Sequence, residues 1–190
     1  GGLGIGGASL SDLAVLDWLA DFHGANIDLI TGFIDPNLPR AANISPNIRL
    51  HHDRALHRDN GKDFDTSRWL SDHSNLLRHA DGVIYSQAFA FNEALIGQPL
   101  AELLSERFPT IIRAHDPINA YIAQINRLSR GTVFMPTSPI IGEQIRNLSP
   151  MHKVFEVPVS INEKLLSSDV SRDEAKRLLG LSKDEIVLFQ

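Results

Sequence analysis

TIIRAHDPINAYIAQINRLSRGTVFMPTSP, residues 110–139, contains the same device twice. An apolar run, Thr110–Ala114, ends at His115 and is followed by Asp116-Pro117, an N-cap with proline at the first helical position. A second run, Thr132–Met135, is followed by Ser138-Pro139 in the same arrangement. Short runs rich in Ile and Val predict strands, and each cap opens a helix, one to about Leu128 and one to about Asn147. Lys153–Val157 adds a strand. Strand and helix in strict alternation predict βα units around a mostly parallel sheet.

The chain upstream repeats the alternation. Ser9–His23 reads as a helix, with Ser9 as N-cap and Asp12 near the positive helix end. Val15, Trp18, Leu19 and Phe22 fall at i, i+3, i+4 and i+7, one buried stripe, and Gly24 ends the helix. Ile27–Thr31 and Ile48–His51 read as strands, with a charged surface loop over His52–Asp65. A helix is expected from Thr66 or Ser67 to His79, a strand over Gly82–Tyr85, and a helical region over Asn92–Arg107 interrupted near Gly97 and Pro99. The fold class is therefore α/β, a Rossmann-like parallel sheet flanked by helices. No strand reads ahead of the Gly6-Gly7 loop, so this sheet is expected to lack one strand.

The tail differs in composition. Ser160–Asp169 is polar and reads as a linker. Ser171-Arg172-Asp173-Glu174 is a capping-box pattern, and the helix it opens carries Lys176 and Arg177 late and stops at Gly180. Glu185–Phe189 reads as the first strand of another domain. The expected organisation is an N-terminal Rossmann-like domain over 1–160, a linker and helix over 161–183, and the opening strand of a truncated second domain over 184–190. A start inside a glycine-rich loop suggests that sequence is missing upstream as well.

Bulk properties narrow the function classes. The 190 residues are 43% hydrophobic and 22% charged, ordinary values for a globular core. A net charge of −5 argues against a broad nucleic-acid footprint. The absence of cysteine removes disulfides and thiolate metal sites. No apolar run approaches the roughly 20 residues that span a bilayer. Gly1–Gly7 has neither the basic nor the apolar region of a secretory signal.

In open parallel sheets, ligands bind beyond the carboxyl ends of the strands. Those ends nominate the Gly6-Gly7 loop, Thr31-Gly32, Ser86-Gln87, His115-Asp116 and Thr137-Ser138. Small residues ahead of a helix let backbone N–H groups approach a phosphate. Gly2, Gly4 and Gly7 satisfy G-x-G-x-x-G, but Thr31-Gly32 stands where a dinucleotide site wants an acid. A flexible or tag-derived glycine stretch is the alternative reading of the same residues, ahead of the dinucleotide one. His115 directly follows an apolar strand, where an imidazole either meets a ligand hydroxyl or caps its own backbone. His51, His52, Asp53 and His57 match no standard metal spacing, and no metal is expected. Arg49, Arg54, Arg58, Lys62 and Arg68 are interleaved with acids, as on a solvated surface. Ser86 and Ser138 lack a Gly-x-Ser-x-Gly setting, against a hydrolase triad.

Five stretches taken in order resemble the family 4 glycosyltransferases of the GT-B type: GGASLSDLAVLDWLADFHGANIDLIT, RHADGVIYSQAFAF, PTIIRAHDP, TVFMPTSPIIGEQIRNLSPMHKVFEVPVSIN and DEAKRLLGLSKDEIVLF. Two features depart from that family. Its Pro-Asn-Gly-hydrophobic-Asp passage reads Pro158-Val159-Ser160-Ile161-Asn162 here, and the strand before the glycine loop is missing. The resemblance implies the N-terminal half of a GT-B fold and retaining transfer of a sugar from a nucleotide-sugar to a carbohydrate, lipid or protein acceptor. Gly6 and Gly7 would face the donor pyrophosphate, and His115, the catalytic candidate, would sit by the transferred sugar. Ser86, Gln87, Asp116 and Ser138 would lie near the cleft. No cofactor or metal is implied, because helix dipole and basic residues neutralise the leaving diphosphate. The other partner is the missing C-terminal domain, which carries most donor contacts, so the fragment alone is expected to be inactive. The expected location is cytoplasmic, extending to the cytosolic face of a membrane. The same architecture also suits a nucleotide-sugar epimerase, an NAD-dependent dehydrogenase or a non-catalytic binding module.

Overall fold

The computed structural model of the chain describes residues 7–35, 44–56, 64–86, 97–115, 125, 127–159 and 171–178. Helix α1 spans Gly7–His23, β1 Ile27–Thr31, β2 Ile48–His52, α2 Thr66–Asp72, α3 Ser74–Arg78 and β3 Val83–Ser86. Then come α4 at Gly97–Arg107, β4 at Thr110–Ala114, β5 at Val133–Pro136, α5 at Pro139–Leu148, β6 at Lys153–Val154 and α6 at Arg172–Leu178. Residues 116–124 and 126 of the helix expected after Asp116-Pro117, the linker and the strand over 185–189 lie outside the described residues, while Ile125 is helical.

The strands are all parallel, as the βα alternation requires, but they form two sheets rather than the one expected. β1 pairs with β2, and a four-stranded sheet runs β3-β4-β5-β6. Ladders need neighbouring edges, and no described strand pairs with both β1 and β3. Helices span the break instead. On one face, Trp69, Leu70, Leu100 and Leu104 pack with Ile30 of β1 and with Val83 and Tyr85 of β3. On the other face, α1 sets Leu13, Leu16 and Ala20 against Ile27, Leu29, Ile48 and Leu50. No helix among the described residues is long and apolar enough to cross a membrane.

The centre of the four-stranded sheet carries the main core. Ile112 and Ala114 of β4 and Phe134 of β5 pack with Ala101, Ile125, Leu128, Ile141 and Ile145. These β4 and β5 side chains alternate along their strands onto one face, where α4 and α5 cover them. Cap chemistry fixes the helix starts. Ser138 is extended and its Oγ accepts from the Ile141 N–H at 3.4 Å, with Pro139 next. Asp65 caps α2 through the Arg68 N–H at 2.9 Å, one residue ahead of the expected start. Ser171 Oγ accepts from the Glu174 N–H at 3.2 Å, one half of the capping box. The expected 66–79 helix is broken at His73 into α2 and α3.

Helix α1 corrects two expectations. It begins at Gly7, so Gly7 belongs to the helix rather than to a loop, Ser9 is not its cap, and Asp12 lies beyond the first turn. Its buried stripe is Leu13, Leu16, Asp17 and Ala20; Trp18 and Phe22 are 51% and 78% exposed. Both sets have helical i, i+3, i+4, i+7 spacing, so periodicity alone does not choose. The loop before β2 chooses: buried Asp17 accepts from the Ser45 N–H at 2.9 Å, and Asp21 from Ser45 Oγ at 2.7 Å. A buried carboxylate is tolerated when hydrogen-bonded in this way.

Across the small sheet, Asp28 receives two hydrogen bonds from Arg49, at 2.8 and 2.7 Å, and one from His51 at 2.7 Å. The Arg49 guanidinium, seconded by His51, holds the Asp28 carboxyl down at about 2, against the opposing effect of burial. Stability from a depressed carboxyl is complete above its unfolded value and is lost as pH falls through the folded one. Because Arg49 is 62% exposed, solvent screens the pair and its contribution to stability is small. Asp28→Asn is therefore expected to lower the urea midpoint slightly at pH 7. The difference from the parent protein should vanish as pH falls from about 4 through about 2; a difference that grows on acidification would contradict this.

Candidate functional site

Arg113 is the anomaly of the sheet. It lies within the apolar strand Thr110–Ala114 and is 1% exposed. Alternation sends Ile112 and Ala114 into the main core and Arg113 to the opposite face, where α1 lies. A guanidinium buried there must be paired and hydrogen-bonded, or its desolvation is prohibitive. Helix α1 supplies the partners from consecutive residues. Arg113 Nε donates to Asp12 Oδ1 at 2.6 Å and Nη2 donates to Ser11 Oγ at 2.9 Å. Its Nη1 is buried and makes no hydrogen bond among the described residues.

Asp12 gathers two more donors. His115, the first residue past β4, places Nε2 at 2.7 Å from the same Oδ1. Ser86, the last residue of β3 and the register partner of Arg113, donates its hydroxyl to Oδ2. The parallel register thus puts Ser86 beside Arg113, and α1 lays one carboxylate over both. Side-chain exposure is 13% for Asp12 and 7% for His115. A carboxylate only accepts hydrogen bonds, so Arg113, His115 and Ser86 all donate to it. His115 Nδ1 makes no hydrogen bond among the described residues. The cluster stands at the carboxyl ends of β3 and β4, where parallel α/β sheets bind ligands.

Two of the sequence candidates, Ser86 and His115, are therefore brought together, through a residue not nominated for the site. Gly7 begins the helix that carries Asp12 five residues later. Ser138 stands at the carboxyl end of β5, where its hydroxyl caps α5. Beside it, the Thr137 N–H and hydroxyl both bond Ala114 O, at 3.0 and 3.3 Å, tying the ends of β4 and β5 together. Gly6, Gln87 and Asp116 lie outside the described residues. Asp12, Arg113 and Ser11 were missed because their contacts are remote in sequence. One signal was available: an arginine inside TIIRA requires a buried acid somewhere.

The histidine-rich segment is dispersed. His51 bonds Asp28 at 2.7 Å, and His52 Nε2 lies 3.2 Å from Gly32 O. Asp53 accepts from Trp69 Nε1 at 2.6 Å and lies 3.4 Å from His73 Nε2, with His73 stacked on Trp69. This arrangement staples the loop after β2 onto α2. His57 lies outside the described residues, among which no three His, Asp or Glu side chains could hold a metal ion.

At the end of β1, Thr31 donates its hydroxyl to Phe33 O at 3.0 Å, and no carboxylate follows it directly. No protein-family model, curated protein or solved structure matches the chain.

Proposed function

We propose that the chain is the acceptor-side half of a GT-B-type, family 4-like glycosyltransferase, transferring a sugar with retention from a nucleotide-sugar. The observation that carries this reading is His115, held at the carboxyl end of β4 by Asp12 of the glycine-led helix α1. An imidazole fixed at a strand end can meet a sugar hydroxyl, and the glycine-led start of α1 suits a diphosphate. The order of sequence motifs supplies the rest. The acceptor is a carbohydrate, lipid or protein, and the remaining donor contacts belong to a second domain. The location that goes with this chemistry is cytoplasmic.

His115→Ala, introduced into the protein with its second domain, is expected to slow sugar transfer by more than about tenfold, or ~1.4 kcal/mol at the transition state. Initial rates at saturating donor measure it, with circular dichroism confirming the fold. Unchanged rates would remove His115 from the site.

A further inference from the structure

We infer that Asp12 is a positioning residue for His115: it fixes the imidazole proton on Nε2, so that Nδ1 accepts a hydrogen bond from a ligand hydroxyl. The identity of that ligand as a sugar rests on the glycosyltransferase reading; the role of Asp12 does not.

The inference follows from donor and acceptor bookkeeping. Nε2 stands 2.7 Å from Asp12 Oδ1. Carboxylate oxygens have no proton to give, so Nε2 must carry the hydrogen. In a neutral imidazole the other nitrogen is then a bare acceptor. Asp12 cannot turn away to release this constraint. Its Oδ1 is also bonded by Arg113 Nε at 2.6 Å, and Oδ2 receives the Ser86 hydroxyl. Arg113 is in turn locked by Ser11 at 2.9 Å and by its place in β4. The carboxylate is held from β3, from β4 and from its own helix, and the imidazole takes the orientation that remains. With Nε2 committed inward, the nitrogen left for a ligand is Nδ1. Its chemistry selects a hydrogen-bond donor, and an anionic phosphate oxygen has none to offer.

Long-range proton–nitrogen NMR of the histidine side chains in the 190-residue chain tests this directly. The expected spectrum shows His115 as a single tautomer, with an Nε2–H proton protected from solvent exchange. Asp12→Ala, which removes the acceptor, should lose that protection. If that variant fails to fold, the parent spectrum alone decides. A tautomer with the proton on Nδ1, or fast averaging between the two, would overturn the assignment. In the second arm, one of UDP-, GDP- and ADP-glucose at millimolar concentration should move the Nδ1 resonance, and its nucleoside diphosphate at the same concentration should not. Equal movement by the nucleotide-sugar and its diphosphate, or movement by none of the three, would overturn a hydroxyl of the transferred sugar as the ligand group. Transfer activity of the protein with its second domain reads separately: if that protein is inactive while the Nε2–H is protected, Asp12 keeps this role and the glycosyltransferase reading falls.

Discussion

Arg113→Ala is expected to cost about 3–5 kcal/mol of folding stability, enough to unfold much of the population of an ordinary domain. Arg113 is 1% exposed, and its partner Asp12 is only 13% exposed at the side chain. Removing the guanidinium leaves a carboxylate facing the sheet, with only Ser86 and His115 as donors. The penalty is that of an uncompensated buried charge, which is larger than the net contribution of the pair. Two controls separate charge from volume. Arg113→Met, which keeps the stem, should lose nearly as much as Arg113→Ala. The double variant Arg113→Met with Asp12→Leu should recover much of the loss, because it removes both charges together. Urea titration of the three proteins measures this. A loss below about 1 kcal/mol for Arg113→Ala would place the residue among solvated surface pairs.

Phe134→Ala is expected to cost a similar amount, about 3–5 kcal/mol, by a different route. Phe134 is fully buried among Ile112, Ile125, Leu128, Ile141 and Ile145. Its ring also meets that of His152 edge-on, with centroids 5.4 Å apart. Truncation removes the transfer free energy of the ring and leaves a cavity beneath the centre of the sheet. His152 also loses a packing surface, while keeping its hydrogen bonds to Ser149 Oγ at 2.7 Å and Ser129 O at 3.1 Å. Phe134→Leu should recover about half or more of the loss, since it refills most of the volume. Equal losses for Ala and Leu would mean that ring shape, not volume, sets the core.

These two residues show what was legible in the chain. Phe134 lies in a β-branched and apolar run closed by Ser138-Pro139, so strand, turn and helix could all be placed from local chemistry. Thr110–Ala114 was legible for the same reason, bounded by Pro109 and His115. Helix α1 was legible as a helix but not in its orientation. Leu10, Leu13, Val15, Leu16, Trp18, Leu19 and Phe22 leave few polar positions to mark an outer face. The stripe that is buried contains an acid, Asp17, made tolerable by Ser45, which is 28 residues away.

The site was legible in part, for a related reason. His115 and Ser86 stand at strand ends, and strand ends can be found from sequence. Asp12 is 74 residues from Ser86, 101 from Arg113 and 103 from His115, so no local pattern connects it to them. In sequence, Asp12 suited the positive end of a helix. In the fold it lies one turn further in, and its charge answers Arg113.

The most direct test of the central claim, that the Asp12–His115 cluster meets a nucleotide-sugar, is a residue-resolved NMR titration of the chain. UDP-, GDP- and ADP-glucose would be compared with NAD, following Gly7, Asp12, Ser86 and His115. One of the nucleotide-sugars should move these resonances at millimolar concentration while NAD leaves them in place. Movement by NAD, or by none of the nucleotide-sugars, would contradict the account.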